Sequence, residues 1–249
     1  LFPSGEEEYA SSLTAGINMA LLTGENWHGE ICQQKKNGEL LWLDTTLVPR
    51  RDESGEIFAF IMICFDITRH MTIREKLHYR AHNDALTKTL NRQGYYIRSR
   101  KKISTANSMG AQTVVAILDL DNFKNINDDL GHAAGDEVLR CFISRVKQCI
   151  SRSTLLGRLG GDEFALTFIE GVDEPDGKQL LQRIVEQTRQ PMYLQSTRHQ
   201  VDLSVSIGVA SYPQHAQSDN LLRAADVALY RAKELGRARI VSFGMLEAG

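Results

Sequence analysis

A chain of 249 residues, 42% hydrophobic and 24% charged, has the apolar content for buried cores and room for one large domain or two ordinary ones. Its formal net charge of -2 gives neither the basic field that gathers nucleic acid nor an acidic solvating tail, so no nucleic-acid partner is expected. The longest apolar run, residues 57–65, falls short of the ~20 residues that cross a bilayer, so this segment is expected to make no membrane contact. Four cysteines, Cys32, Cys64, Cys141 and Cys149, lack the close pairs of a zinc site and read as reduced, buried thiols in a cytoplasmic protein.

In chain order, the sequence opens on Leu1 and a polar segment without a signal pattern, as expected of a piece of a longer protein that could include membrane segments upstream. Residues 6–22 are weakly helical. Two strands, residues 29–36 and 39–48, flank Asn37-Gly38, a dipeptide suited to a tight hairpin turn with positive φ at both central positions. After a second turn at residues 52–55, residues 57–65 are apolar on both faces and predict a strand covered on each side. Residues 69–83 form a linker helix with Ile73 and Leu77 one turn apart. Its two heptads are too few for a free-standing coiled coil, so it either pairs with a copy of itself with help from flanking domains or packs as a solvated connector.

From there strand and helix signals alternate: a strand at 114–120, a helix at 133–150 with Val138, Phe142, Val146 and Ile150 in one stripe, and a hairpin of strands 154–159 and 163–169 around Gly160-Gly161. A helix at 177–189, a strand at 203–209, a helix at 219–235 stopped by Gly236, and a strand at 238–243 complete the chain. The order β-α-β-β-α-β predicts an α+β, ferredoxin-like core with an antiparallel central sheet backed by helices.

The chemistry concentrates at one edge of that sheet. Asp119 ends an apolar strand and Asp162-Glu163 sits at the glycine hairpin; in a split β-α-β-β-α-β sheet these elements are neighbours. An acid at a strand end is ordinarily a solvated turn residue, but two at one edge offer the hard oxygen ligands that Mg²⁺ needs to clamp a nucleotide's phosphates. Asp119-Leu120-Asp121 is not a calcium loop, because Phe123 and Lys124 stand where such a loop needs an acid and a glycine. Gly160 and Gly161 permit close approach of backbone to a ligand, and no Lys-Ser or Lys-Thr follows them, which excludes a P-loop. Lys124 follows the first strand, and Lys233 and Arg237 bracket a helix end one turn apart, where they serve either one phosphate group or the helix dipole. Asn127 as a turn cap and Asp136 in the first turn of its helix leave the same two readings open.

Five segments carry a resemblance. They are residues 119–128 (Asp119-Leu120-Asp121-Asn122-Phe123-Lys124-Asn125-Ile126-Asn127-Asp128), residues 131–136, Leu159-Gly160-Gly161-Asp162-Glu163-Phe164, residues 206–210 and residues 225–233. In this order and spacing, over about residues 82–243, they resemble the GGDEF diguanylate cyclase family. Residues 1–68, through Trp27, Gly29-Glu30, Trp42 and Asp66-Ile67-Thr68, resemble the C-terminal part of a PAS sensory domain. The resemblance implies a sensory part at 1–68, a signalling helix at 69–83 and a cyclase domain at 84–249. It implies that Asp119, the carbonyl of Leu120 and Asp162 hold Mg²⁺ or Mn²⁺, with Glu163 beside them as a catalytic acid of the signature. Asn127 and Asp136 would read guanine, Lys124, Lys233 and Arg237 would grip the β- and γ-phosphates, and Gly160 and Gly161 would let the nucleotide approach. The reaction implied joins two GTP molecules into cyclic di-GMP with release of two pyrophosphates, in a homodimer whose half-sites face each other. The alternatives are a catalytically silent GTP-binding regulator of an attached phosphodiesterase domain, or a dimerising sensor.

Two departures from the family pattern stand out. The product-inhibition motif Arg-x-x-Asp reads here Ser151-Arg152-Ser153-Thr154, so feedback through it is expected to be weak or absent. Lys88 replaces a usual glycine, a local strain on the order of 1 kcal/mol if the position needs positive φ.

Overall fold

A computed structural model describes residues 16–214 and 220–245. The chain divides into two compact units, Leu1–His78 and Tyr79–Gly249.

In the first unit the described residues begin with a helical segment, α1 (residues 16–23); the rest of the expected 6–22 helix lies outside the described residues. An antiparallel meander follows, in the order β1 (Trp27–Gln34), β2 (Leu40–Arg51), β3 (Ile57–Asp66). The connection at Asn37-Gly38 is wider than a two-residue turn, since Gln34 pairs with Leu40 across it and only Gly38 takes a positive φ, 86°. Lys35 closes it instead, donating its N–H to Glu39 O and accepting from Gly38 N–H, while Asn37 Oδ1 takes the Glu39 N–H.

Strand β3 corrects the expectation of a strand covered on both faces. It is an edge strand among the described residues, and Phe58, Met62 and Phe65 are 64%, 64% and 65% exposed. Its apolar pattern records a propensity for burial that the described residues do not supply. The cysteine expectation is corrected in part: none of the four is in a disulfide, but only Cys149 is buried, Cys32 and Cys141 are partly exposed and Cys64 is exposed. A single helix, α2 (Thr68–His82), follows, with Thr68 N–H on Asp66 Oδ1 at its start and Ile73 and Leu77 exposed.

In the second unit α3 (Arg92–Ser108) is capped by Asn91, which accepts from Gly94 N–H and also donates its side-chain amide to Ala81 O, tying the cap to the end of α2. The segment between them holds Lys88 at φ 55°, a left-handed conformation that Lys adopts at a cost. Lys88→Gly is therefore expected to stabilise this unit by about 1 kcal/mol in denaturant unfolding, and no gain would show that the turn is not strained.

The rest of the unit comprises β4 (Thr113–Leu120), α4 (Phe123–Leu130), α5 (His132–Cys149), β5 (Leu155–Gly160), β6 (Glu163–Ile169), α6 (Gly177–Arg189), a small hairpin β7 (Met192–Leu194) and β8 (His199–Val201), β9 (Val205–Tyr212), α7 (Leu221–Glu234) and β10 (Ile240–Ser242). The central sheet runs β10-β9-β4-β6-β5. Strands β9, β4, β6 and β5 are antiparallel, in the spatial order expected of a split β-α-β-β-α-β unit, and β10 adds in parallel at the edge. Strand β4, buried at every position, sits in the middle. Its side chains alternate: Val114, Ala116, Leu118 and Leu120 pack with α5 and α6 in the larger core, and Val115 and Ile117 pack with α3 and α7 in the smaller one.

Candidate active site

The alternation of β4 decides where its terminal acid goes. Asp119 continues the Val115–Ile117 side and emerges at the strand end on the α7 layer, where Lys233 Nζ from the last turn of α7 meets its Oδ2 at 2.8 Å. Across the sheet Asp119 stands opposite Glu163 at the start of β6 and Ser206 in β9. The Leu120 N–H reaches the Asp162 carbonyl at 3.4 Å, which brings the Gly161-Asp162 turn against the end of β4. Asp119 is only 7% exposed. Burial pushes its carboxyl above the usual carboxylate range; the Lys233 ammonium pulls it back, and the negative Asp162 and Glu163 push it further up.

An acid held at a cost among like charges is the setting that a divalent cation relieves. Among the described residues no three or more acid, histidine or cysteine side chains are grouped to hold a metal. The donor set expected from the sequence requires only the carboxylates of Asp119 and Asp162 and the Leu120 carbonyl, all hard oxygens, so the residues present fit a hard divalent cation.

The signature turn is built for close approach. A Cβ placed at Gly160 or Gly161 would meet no protein atom within 4 Å, so the protein itself does not fill that space. Gly161 has φ 45°, which other residues adopt with strain. Its carbonyl accepts from Arg158 Nε at 2.9 Å and Nη2 at 2.7 Å, while Arg158 Nη1 pairs with Asp84 at 3.2 Å. The residue was not singled out in the sequence. An arginine two positions before a glycine turn was the only signal, and its partner lies 74 positions away.

Gly131, at φ 84°, turns α4 directly into α5, which sets Asn127 against Gly135, the neighbour of Asp136. A Cβ at Gly135 would overlap Asn127 Oδ1, so the bare Cα of Gly135 is the seat of that amide. Asp136 is not in the first helical turn as expected: α5 begins at His132, and the half-exposed carboxylate lies one position further on, 3.8 Å from Arg140. Helix α7 ends at Glu234 and Gly236 at φ 105° takes the chain out of it, so Lys233 and Arg237 stand on either side of the helix end. Lys124 and Arg237 are exposed and make no ion pair among the described residues.

Residues 81–239, well over half the chain, match the family model for the diguanylate cyclase GGDEF domain. The chain belongs to the GGDEF diguanylate cyclase family. Residues 3–69 match a PAS domain model. Among curated relatives, diguanylate cyclase TpbB of Pseudomonas aeruginosa is 39% identical over 162 residues, 65% of this chain and 37% of that protein. Signaling protein YkoW of Bacillus subtilis is 33% identical over 79% of this chain and 24% of its own length. Cyclic di-GMP phosphodiesterase PdeB of Shewanella oneidensis is 32% identical over 94% of this chain and 28% of its own. The chain thus spans well under half of each of these relatives. Among solved structures, the coiled coil and GGDEF domain of DgcB from Caulobacter crescentus, in complex with c-di-GMP, superposes with TM-score 0.65 at 27% identity, covering 71% of this chain and 93% of that one. The GGDEF domain of TpbB from Pseudomonas aeruginosa gives 0.60 at 36% identity over 65% and 94%. The GGDEF turn of this chain is the Gly160-Gly161-Asp162-Glu163-Phe164 segment at the start of β6.

Proposed function

We propose that the chain is an active diguanylate cyclase, with residues 84–249 as the catalytic domain, residues 69–83 as a signalling helix and residues 1–68 as part of a sensor. The observation that carries this reading is the buried Asp119 carboxylate, opposite Glu163 and within 2.8 Å of Lys233, at the strand end that meets the GGDEF turn. Asp119, the Leu120 carbonyl and Asp162 would hold Mg²⁺ or Mn²⁺. Such an ion neutralises charge on the α-phosphate and lowers the pKa of the 3′-hydroxyl. Asp162 accepts the proton from the 3′-hydroxyl of one GTP as that oxygen bonds to the α-phosphorus of the other and pyrophosphate leaves. The step occurs twice. Glu163 keeps the site anionic beside the metal, Lys124, Lys233 and Arg237 hold the β- and γ-phosphates, and Gly160 and Gly161 admit them. Asp136 and Asn127 read guanine, because a carboxylate accepts from its N–H groups and rejects adenine, whose corresponding edge offers the wrong donors. One domain holds one GTP, so two copies meet for each reaction.

Purified protein with GTP and Mg²⁺ is expected to release two pyrophosphates per cyclic dinucleotide, with specific activity rising steeply with protein concentration. GTP binding without turnover would support a second reading instead, a regulator of a phosphodiesterase domain, which the likeness to PdeB over 94% of this chain favours.

Two further expectations follow from the site. Gly135→Ala improves intrinsic helix propensity but displaces the Asn127 amide, so thermal stability should hold while KM for GTP rises about tenfold. An unchanged KM would remove Asn127 from the guanine site. At the position of the inhibitory motif, Glu174 already takes the Ser151 N–H at 2.7 Å and the Thr154 hydroxyl at 2.6 Å, and Ser151 Oγ lies 3.2 Å from Thr154 Oγ1. The adjoining cleft, about 410 Å³, keeps Lys88, Arg98, Lys147 and Arg152. Calorimetry is therefore expected to show only weak, salt-sensitive binding of cyclic di-GMP there; tight binding that is lost on substituting Ser151 and Thr154 would contradict this.

A further inference from the structure

The reaction as derived uses Asp119 and gives no task to Asp121, although this carboxylate is buried, with 5% exposure, and fully engaged. Its Oδ1 accepts from Ser206 Oγ at 2.7 Å, and its Oδ2 accepts from Ser204 Oγ at 2.6 Å and from the backbone N–H of Ala238 at 3.1 Å. The last of these bonds spans 117 positions of sequence and ends in an unusual backbone. Gly236, Arg237 and Ala238 lie in succession at φ 105°, 62° and 51°, so two residues with a Cβ hold a conformation that L-residues seldom adopt.

A run of this kind persists only when its surroundings over-determine it. Arg237 N–H bonds to Ala232 O at 3.0 Å, Arg239 Nε bonds to Arg237 O at 3.0 Å, and Arg189 Nη2 bonds to Ala238 O at 2.9 Å. Both arginines are exposed surface side chains. Among the described residues Asp121 alone supplies a buried, charge-assisted acceptor to the run. Through Ser206, which pairs with Asp119 across the sheet, it refers the run to the same strand end that carries Asp119.

We propose that Asp121 is a positioning residue that fixes where Arg237 leaves the backbone, and so aligns this cation with the acidic end of β4. This rests on the reading of Arg237 as a phosphate ligand. Asparagine at 121 is isosteric, but it carries no charge and retains only one carbonyl oxygen for three donors, so the Ala238 N–H loses its charged partner and the run is free to relax.

The test compares binding of GTP with binding of GMP, which lacks the β- and γ-phosphates, by the full chain in Mg²⁺. Asp121→Asn is expected to weaken GTP about tenfold while leaving GMP within about twofold. Arg237→Ala should show the same selectivity, and the double variant should bind GTP no more weakly than Arg237→Ala alone. If Arg237→Ala leaves GTP affinity intact, the phosphate reading itself fails. If Arg237→Ala acts and Asp121→Asn does not, or if Asp121→Asn weakens GMP and GTP alike, the positioning role is overturned. Should Asp121→Asn fail to fold, Ser204→Ala, which removes one of the two bonds aiming Oδ2, is expected to give a smaller loss confined to GTP; no such selectivity would equally overturn the proposal.

Discussion

Asp119→Asn is expected to lower turnover by about a thousandfold or more, yet raise the thermal stability of the metal-free protein. The first effect follows from the proposed role of Asp119 as a charged metal ligand. The second follows from the direction of the Asp119 pKa, which burial pushes upward more than Lys233 pulls it down. A carboxyl whose pKa is higher in the folded than in the unfolded chain binds its proton more tightly when folded. Its contribution to stability is therefore best in acid and declines as pH rises from the unfolded value through the raised one. At neutral pH the folded chain carries an ionised group at a cost, which asparagine does not. Lys233, whose side chain is 34% exposed, can turn to water when its partner's charge is gone. Melting curves should show the variant's advantage above the raised pKa and its loss in acid. A variant less stable than the parent at neutral pH would mean that the Lys233 pair outweighs burial.

Arg158→Ala is expected to lower kcat about a hundredfold with a smaller change in KM. Among the described residues Arg158 ties the GGDEF turn to the segment after α2, with two bonds to the Gly161 carbonyl and two more from Nη1 to the carboxylate oxygens of Asp84. Without it the turn carrying Asp162 loses its anchor. Asp84, whose side chain is 22% exposed, is also left without its cation. Burial alone would push the Asp84 carboxyl up, but the Thr87 hydroxyl and N–H, with Arg158, outweigh it and hold it below the usual range. Its stabilisation is present above the unfolded carboxylate pKa and is lost as pH falls through the lowered value, so the variant should be less stable than the parent at neutral pH and approach it in acid. Arg158→Lys should not restore turnover, because one ammonium cannot serve the Gly161 carbonyl and Asp84 with the geometry of a guanidinium fork. Turnover of Arg158→Ala within about twofold of the parent would show that the turn needs no such tie.

The parts of this arrangement that were legible in the sequence are those encoded locally. Strand β4 and the glycine hairpin announce themselves by an unbroken apolar run and by residues that tolerate positive φ, and the split topology places their acids at one edge. The parts that were not legible are tertiary. Helix α3 buries Tyr95, Ser99, Ile103 and Ala106, but Tyr95 and Ser99 are there to bond Thr167, so half of the stripe is polar and shows no apolar period. Helix α4 is short and rich in Asn and Asp, and turns into α5 at a single glycine. Gly236 announces the end of α7, but spacing carries no record of φ, so the left-handed conformation of Arg237 and Ala238 beyond it was not legible. Asp121 and Arg158 act on partners 117 and 74 positions away, which no local pattern encodes. Strand β3 shows the converse, since an apolar pattern reports what a strand could bury and says nothing of what covers it.

The convergence of the 119 and 162 acids on a divalent cation is tested most directly by crystals grown with Mn²⁺ and a non-cleavable GTP analogue, read by anomalous scattering. A manganese peak is expected within bonding distance of Asp119, the Leu120 carbonyl and Asp162, beside the triphosphate. Bound nucleotide with no such peak, or with the two carboxylates directed apart, would contradict the catalytic assignment.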